Sequence, residues 1–363
     1  MKKIGLLSMH CTINYGASLQ ALSLYKYLEK RGYDITIINY RPKYLTDIYE
    51  KNHENERKKV KTKLKYLVVG KRYKKRFDAF RKFENYLKLS KTCYTYEDLQ
   101  NLKESYDIYI CGSDQIWNPI NTQYDKAFFF GFVNNNALKL SYAASIGQDK
   151  LDEQSIQFIS ENIQRFQGIS VREKSAKDLL EQEMNISSVQ NIDPVFLTSV
   201  DEWKRYEIPI KTPPKYILLY AIGMQPLSDE LVREIKNKSK VQCITIQYNA
   251  FKDKNTDYLM DDIGPGEFLY LLRNAEYVVT NSFHGIALSL LFKKKLVAYR
   301  SLDRNTRIES LLQLVGMTDL QISSIEEYKA KDWDRIWEQY KNIDVIIEKE
   351  IEKADLYFKE NGL

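Results

Sequence analysis

The sequence has few of the residues that build disulfide frameworks and transition-metal sites. Its 363 residues include four cysteines, none of them in a CxxC pair, and three histidines, His10, His53 and His284. Scattered cysteines in a chain of this length argue against a disulfide framework and against a structural zinc site. Because histidine and paired cysteine are the usual ligands of transition metals, we expect no metal site.

Long apolar runs are also missing. Runs such as Tyr216–Ile222 and Gly285–Phe292 fall far short of the ~20 residues that span a bilayer. The apolar run at the N-terminus breaks at Ser8, which is too early for a signal peptide. The composition, 44% hydrophobic and 29% charged, excludes collagen-like and wholly disordered chains. We therefore expect a soluble, cytoplasmic protein with about two domains.

Positive charge is concentrated in one segment. Residues 51–91 contain 16 Lys/Arg and 4 Asp/Glu, a balance of +12; the whole chain carries +6, so the remainder carries −6. Apolar residues from Leu64 to Leu87 recur there every three or four positions, which predicts a helix with one cationic face. The segment could be a solvated helix that packs its apolar stripe on the body, or a surface for anionic lipid headgroups or a polyanionic acceptor. Nucleic-acid binding, the third interpretation, lacks any recognition motif, and we expect no nucleic-acid partner.

Short apolar strands alternate with amphipathic helices in two series. The first series runs from Lys3 to Glu181 and the second from Lys215 to Leu314. Residues 198–214, which contain three of the eight prolines, separate them. The pattern predicts two doubly wound α/β domains that face a cleft, with ligands at the carboxyl ends of the parallel strands. The predicted boundaries are 1–195 (with the basic helical excursion at about 51–91), 196–330, and a helical tail at 331–363.

Polar residues follow two strands of the second series. The turn from Thr280 to Gly285 lies where a strand passes into a helix, and a helix N-terminus presents free backbone N–H groups to an anion. His284 in this turn is either a site residue or a capping or packing histidine. Arg304 and Arg307 follow the next strand, so either could reach the same edge of the sheet.

In the first series, Arg172 follows a strand and its guanidinium suits a carboxylate or phosphate, although a lone arginine is ordinarily paired with a nearby carboxylate. Two polar loops, 14–17 and 112–118, match neither GxGxxG nor GxxxxGK[ST], so dinucleotide and P-loop sites have little support. Their residue types suit the hydroxyls and the apolar face of a sugar. The acceptor-binding candidates are Asn14, Tyr15, Gly112, Ser113, Gln115 and Trp117.

These motifs together resemble the polysaccharide pyruvyl transferase family. The matching runs are Asn14-Tyr15-Gly16-Ala17-Ser18-Leu19-Gln20-Ala21, Gly112-Ser113-Asp114-Gln115-Ile116-Trp117-Asn118-Pro119, Tyr142-Ala143-Ala144-Ser145-Ile146-Gly147, Ser170-Val171-Arg172-Glu173, Asp193-Pro194, Asn281-Ser282-Phe283-His284-Gly285 and Arg307-Ile308-Glu309-Ser310-Leu311-Leu312. They occur in family order between residue 4 and about residue 316. The resemblance implies two Rossmann-like domains similar to the GT-B glycosyltransferases. It also implies pyruvyl transfer from phosphoenolpyruvate to a sugar of a cell-surface or exopolysaccharide precursor, as a cyclic ketal and without a further cofactor.

The resemblance also implies roles for single residues. Relatives bind the donor with an arginine, a histidine and a further cation, which correspond here to Arg172, His284 and Arg307, with Arg304 as the alternative to Arg307. Ser282 belongs to the same donor turn. An imidazole gives and takes protons near neutral pH, so His284 is the expected acid–base group. Asp114 is either the base for the acceptor hydroxyl or a residue that orders its own loop.

The expected partner is a glycan or lipid-linked oligosaccharide acceptor. The basic segment 51–91 would allow peripheral contact with the inner face of the membrane. Two rival functions stay open. One is a GT-B nucleotide-sugar glycosyltransferase, in which Glu267 would hold the ribose hydroxyls. The other is a non-enzymatic adaptor that binds a glycan or lipid surface through the basic helix.

Overall fold

A computed structural model describes residues 2–47, 63–134, 136–223, 226–246, 255–301 and 305–363, and only the backbone of residues 63–69. The described chain divides into two compact units. The first contains residues 2–47, Glu84–Thr198 and Glu348–Leu363, and the second contains residues 63–83 and Ser199–Ile347. Arg304 and residues 51–62 of the basic segment lie outside the described residues.

Strands and helices alternate along most of the described chain. The strands are β1 (Lys3–Leu7), β2 (Asp34–Ile37), β3 (Ile108–Gly112), β4 (Leu138–Tyr142), β5 (Ser170–Val171), β6 (Val189–Gln190), β7 (Tyr216–Tyr220), β8 (Gln242–Ile246), β9 (Tyr258–Leu259), β10 (Tyr277–Thr280), β11 (Lys295–Tyr299) and β12 (Gln321–Ile322). The helices are α1 (Tyr15–Lys30), α2 (Lys63–Phe83), α3 (Tyr96–Gln100), α4 (Pro119–Thr122), α5 (Glu153–Ile163), α6 (Lys174–Met184), α7 (Val200–Trp203), α8 (Pro226–Ser239), α9 (Pro265–Asn274), α10 (Phe283–Leu291), α11 (Thr306–Leu314), α12 (Ile325–Ala330), α13 (Trp333–Glu338) and α14 (Ile343–Glu360).

A parallel sheet in the order β2-β1-β3-β4 forms the centre of the first unit. Its strand residues are nearly all buried, as expected of a parallel sheet that is covered on both faces. The pair β5-β6 continues from β4 through isolated bridges at Leu140–Gly168 and Ala144–Val171. The strand order reverses between β1 and β3, so their carboxyl ends form the switch point at which such sheets bind ligands.

The second unit contains a parallel sheet in the order β12-β11-β10-β7-β8-β9. Its switch point lies between β7 and β10, which pair from Tyr277–Ile217 to Thr280–Tyr220. The predicted α/β fold class with two Rossmann-like sheets is confirmed. The predicted tail is helical too, through α13 and α14.

Residues 63–83 of the basic segment belong to the second unit and residues 84–91 to the first, whereas the sequence placed the whole segment in the first domain. Arg72 of α2 forms a salt bridge of 2.5 Å with Asp261, and a Cβ atom on Gly264 would lie 2.7 Å from the Cβ atom of Ala79. The side chains of Phe80 and Phe83 are buried. The helix therefore packs its apolar side on the second unit, as the first of the three interpretations predicted.

The end of α14 belongs to the first unit rather than to a separate tail. The Tyr357 hydroxyl donates a hydrogen bond of 2.7 Å to the Ser141 carbonyl, and the Phe358 ring stacks on Tyr142 with 5.0 Å between centroids. These aromatic contacts explain why residues 348–363 group with the first sheet. No helix in the ranges that the structure describes is long and apolar enough to cross a bilayer.

Candidate functional site

The predicted acceptor residues follow two neighbouring strands of the first sheet. Asn14 begins α1 shortly after β1, and its side chain accepts a 3.2 Å hydrogen bond from the Ala17 N–H. Tyr15 is the first residue of α1 and is buried. Gly112 ends β3 at φ +146°, and a Cβ atom there would overlap the carbonyl oxygen of Tyr142. Both loops thus lie at the switch point between β1 and β3.

Asp114 orders the loop that follows β3. Its φ of +68° is a left-handed conformation, which a short polar side chain tolerates better than most residues do. The Asp114 Oδ1 atom accepts a 2.9 Å hydrogen bond from the Gln115 N–H, and its backbone carbonyl accepts a 3.0 Å bond from the Ser145 N–H. The side chain is largely buried. The loop-ordering role that was the alternative to catalysis is therefore present in this structure.

Ser113 and Gln115 also fix this loop. The buried Ser113 donates its N–H to Gln20 Oε1 over 2.9 Å and its hydroxyl to the Ala143 carbonyl over 2.7 Å. The Gln115 Oε1 atom accepts hydrogen bonds from the side-chain amides of Asn118 and Asn121, at 3.2 and 2.9 Å. These contacts hold the loop against the sheet, and they engage both side chains within the protein.

Trp117 is a core residue. Its ring is fully buried, it stacks on Phe129 with 5.5 Å between centroids and 7° between planes, and it meets Phe166 edge-on. The indole N–H donates to the Phe128 carbonyl over 3.2 Å. The prediction that Trp117 offers a face to a sugar is therefore wrong for this structure, because neighbouring aromatic rings enclose the indole.

Arg172 lies in a buried cluster of charges at the same edge. Its Nε atom is 3.0 Å from Glu173 Oε1 and its Nη1 atom is 2.8 Å from Asp193 Oδ2; the three side chains are 2%, 1% and 0% exposed. The Ser145 hydroxyl donates to Glu173 over 2.6 Å. Burial lowers the pKa of Arg172, but the charges of Glu173, Asp193 and Asp114 raise it by more than burial lowers it. The net shift of the pKa is therefore upward. The guanidinium is charged and held in one orientation.

The predicted donor turn lies at the switch point of the second sheet. The Thr280 hydroxyl donates to the Tyr220 carbonyl over 2.6 Å and accepts a 3.0 Å hydrogen bond from the Ser282 N–H, which ties the ends of β7 and β10 together. Asn281 completes the link. Its Oδ1 atom accepts from the Ile222 N–H over 2.7 Å, and its Nδ2 atom donates to the Ile222 carbonyl over 3.0 Å. The loop after β7 is thereby fixed to the turn after β10.

His284 is the second residue of α10, directly after this turn. Ser282 caps the helix, because its Oγ atom accepts a hydrogen bond of 3.4 Å from the Gly285 N–H. The His284 side chain is 7% exposed and meets Phe283 edge-on at 5.2 Å. A Cβ atom on Gly285 would lie 2.7 Å from Thr280 Oγ1, so glycine allows α10 to start close against β10. The imidazole and the first backbone N–H groups of α10 lie at the carboxyl edge of the sheet.

Arg307 is the second residue of α11, which follows the neighbouring strand β11. The loop before it is closed by Asn305, whose side chain accepts from the Ser301 N–H at 2.9 Å and donates to the Ser301 carbonyl at 2.7 Å. Arg307 is half-buried. Because β10 and β11 are paired, His284 and Arg307 begin helices at the same edge of the same sheet. Arg304, the alternative to Arg307, lies outside the described residues.

The structure brings the predicted residues together in two groups, one in each unit. Arg172 and the acceptor candidates belong to the first unit, and Ser282, His284 and Arg307 belong to the second. Sequence reasoning missed Asp193, Glu173 and Asn281 as site-building residues, although each stands within or beside a motif that it singled out. Within the described ranges no group of three or more His, Cys, Asp or Glu residues is placed to hold a metal ion.

Comparison with known proteins identifies the family and the fold of this chain. The family model of polysaccharide pyruvyl transferase matches residues 14–303. Similar solved structures include a UDP-N-acetylglucosamine 2-epimerase, with a TM-score of 0.54 and 13% identity over 100% of this chain and 97% of that chain. Another is the S. aureus MnaA-UDP co-structure, with a TM-score of 0.53 and 12% identity over 99% of this chain and 97% of that chain. A third is the UDP-GlcNAc 2-epimerase from Methanocaldococcus jannaschii, with a TM-score of 0.52 and 15% identity over 94% of this chain and 92% of that chain. At these identities the likeness shows a shared GT-B-like fold only. No curated protein sequence matches significantly. The chain belongs to the polysaccharide pyruvyl transferase family.

Proposed function

We propose that the protein transfers pyruvate from phosphoenolpyruvate to a sugar of a cell-surface or exopolysaccharide precursor, forming a cyclic ketal. The observation that carries this proposal is the turn from Thr280 to Gly285 at the switch point of the second sheet. It combines an imidazole with a capped helix N-terminus in a chain of the polysaccharide pyruvyl transferase family.

The proposed donor site uses positive groups at the carboxyl edge of the second sheet. Phosphoenolpyruvate carries a carboxylate and a phosphate, and both suit backbone N–H groups and a guanidinium. The first turn of α10 supplies the N–H groups, and Arg307 on the adjacent α11 supplies the guanidinium. Asn281 supports this role because its two bonds to Ile222 hold the donor turn in place before a ligand arrives.

The proposed chemistry gives His284 a single proton-transfer task. The imidazole delivers a proton to the methylene carbon of phosphoenolpyruvate, which becomes a methyl group and leaves positive charge on the central carbon. A sugar hydroxyl attacks that carbon and loses its proton. The bond from carbon to the phosphate oxygen then breaks, and a second hydroxyl closes the ring and loses its proton. One of the two hydroxyl protons restores the imidazolium, and the other leaves with the phosphate.

The proposed acceptor side is the edge of the first sheet around Asn14 and the loop 112–115. Asp114 is the candidate base there, and the 2.9 Å bond to Gln115 would hold its carboxylate in place. Arg172 remains a donor-binding candidate on the family resemblance. Glu173 and Asp193 hold its guanidinium in one orientation, so an anion would bind to a guanidinium that does not reorient. The acceptor is a glycan, free or lipid-linked.

The rival glycosyltransferase function needs a carboxylate for the ribose hydroxyls. Glu267 was the candidate, but its Oε2 atom accepts a 3.1 Å hydrogen bond from the Gly264 N–H and so closes the capping box of α9. This local structural role favours pyruvyl transfer over the rival. A thermal-shift titration separates them: phosphoenolpyruvate stabilises a pyruvyltransferase, and a nucleoside diphosphate stabilises the rival.

The experiment is an incubation of the protein with phosphoenolpyruvate and a panel of glycans, followed by mass spectrometry for a pyruvyl adduct and an assay for phosphate. We expect an adduct and an equal amount of phosphate, and we expect neither from the His284→Ala variant. Glycosyl transfer from a nucleotide sugar, with no adduct from phosphoenolpyruvate on any glycan, would overturn the proposal.

A further inference from the structure

Helix α2 is attached to the second unit through side chains between Arg72 and Ala79. Besides the Arg72–Asp261 salt bridge, Lys75 Nζ lies 2.9 Å from Asp262 Oδ2, and the Arg72 Nη2 atom donates to the Leu259 carbonyl over 3.1 Å. Ala79 lies against Gly264, and the side chains of Phe80 and Phe83 are buried. These partners fall between the end of β9 and the start of α9, so α2 lies beside the carboxyl edge of the second sheet.

The exposed side of α2 is a cationic face, and Lys75 lies where this face borders the attached side. Its exposed residues are spaced three or four positions apart, so they share one side of the helix. They are Lys71, Lys74, Lys75, Asp78, Arg81 and Lys82. Five of these six side chains are basic and none is apolar; Lys75 remains 69% exposed despite its bond to Asp262. At 1.5 Å per residue, the face extends over roughly 15 Å.

The charge distribution would orient the protein so that this face meets a negatively charged surface. Residues 51–91 carry +12, while the rest of the chain carries −6. A negatively charged surface would therefore repel most of the protein and attract this segment, which selects one orientation. The absence of exposed apolar side chains on residues 71–82 argues against insertion into the acyl region, because insertion requires an apolar face.

We infer that the exposed face of α2 docks on the surface of an anionic lipid bilayer, held by electrostatic attraction without insertion. A lipid surface fits better than a nucleic acid, because the face is a flat row of lysine-type charges without the aromatic residues that stack on bases. This docking goes beyond the proposed transfer reaction. It would bring the carboxyl edge of the second sheet close to the headgroups.

The test is co-sedimentation of the whole protein with vesicles of phosphatidylcholine, with and without phosphatidylglycerol, at low and high salt. We expect binding to the anionic vesicles at low salt, little binding at high salt, and none to neutral vesicles. Each basic residue near an anionic surface contributes about fivefold, so Lys71→Gln, Lys74→Gln and Lys82→Gln together should weaken binding about 100-fold.

A matched control removes the same charge elsewhere. Lys103, Lys211 and Lys215 are exposed and lie outside α2, and their combined change to Gln should leave vesicle binding within a factor of about three of wild type. Equal losses in the two triple variants, salt-independent binding, or tighter binding to DNA than to anionic vesicles would overturn the inference. Pyruvyl transfer to a water-soluble glycan should be unchanged in the α2 triple variant. A failure of the docking inference can therefore be distinguished from a failure of the proposed function.

Discussion

Arg172 and Asp193 form a salt bridge of 2.8 Å in the interior of the first unit, where their side chains are 2% and 0% exposed. Glu173 holds the Nε atom of the same guanidinium, and Ser113 donates a 3.4 Å hydrogen bond to Asp193. The cluster joins the ends of β3 and β5 to the start of the 3-10 helix Pro194–Leu197. Asp193 is the N-cap of this helix, because its Oδ1 atom accepts a 3.0 Å hydrogen bond from the Val195 N–H. Rigidity at this edge thus depends on a few buried charges.

Replacing Asp193 should destabilise the protein strongly. Asp193→Ala leaves the buried guanidinium with one carboxylate fewer and removes the cap, which should cost about 3–5 kcal/mol of unfolding free energy. Urea denaturation measures this. The control is Asp201→Ala, which removes an 87% exposed partner of Lys204 and should leave the free energy of unfolding close to the wild-type value. Similar losses in both variants would show that the buried cluster carries no special stability.

His284→Ala should abolish transfer without unfolding the protein. An acid–base group contributes about 10²–10⁴-fold, so kcat should fall at least 100-fold. The melting temperature should change by only a few degrees, because the substitution leaves the Ser282 cap of α10 in place. A variant that keeps more than about a tenth of the turnover would rule out the acid–base role.

Asn281→Asp should weaken donor binding. The change removes the N–H donated to the Ile222 carbonyl over 3.0 Å and puts negative charge beside the donor turn, where phosphoenolpyruvate is proposed to bind. We expect KM for phosphoenolpyruvate to rise at least tenfold, as measured by steady-state kinetics. Asn274→Asp is the matched control, because it removes a 2.8 Å bond from an exposed asparagine to the Tyr270 carbonyl. An unchanged KM in Asn281→Asp would contradict the placement of the donor.

Stability should fall in mild acid because of His10. Burial lowers the pKa of His10, and the Arg41 charge lowers it further while Glu84 opposes. The unfolded chain, with a histidine pKa of about 6.5, then binds the proton more readily than the folded chain. The stabilising contribution is therefore present above about pH 6.5 and is lost as the pH falls below it, at up to about 1.4 kcal/mol per pH unit.

Urea denaturation between about pH 7.5 and pH 5.5 measures this slope. His10→Gln should reduce it, because the variant has no group at this position to protonate. A variant with the same slope as wild type would assign the acid sensitivity to other groups.

Sequence periodicity predicted the strands and helices, but it did not predict which of them pack together. The two predicted series of alternating strands and helices, from Lys3 to Glu181 and from Lys215 to Leu314, are found in the structure, because apolar spacing and helix-start residues are local signals. The docking of α2 on Asp261 and Asp262 could not be predicted, since it depends on contacts across nearly 190 positions. A polar neighbourhood suggested a sugar platform at Trp117, but only tertiary packing decides whether such a ring is buried.

The site shows the same division. The position of His284 at a helix N-terminus followed from a strand that passes into a helix at the turn from Thr280 to Gly285, which is a local signal. The pairing of Arg172 with Asp193 joins residues that are 21 positions apart, and no spacing rule indicated it.

The most direct measurement of the central claim is the transfer reaction run in deuterium oxide, with phosphoenolpyruvate and an accepted glycan, followed by NMR of the product. Proton delivery to the methylene carbon predicts a ketal methyl group that carries a single deuterium, and one phosphate released for each ketal formed. A product without a pyruvyl methyl signal, or a glycan modified only when a nucleotide sugar is supplied, would contradict the account.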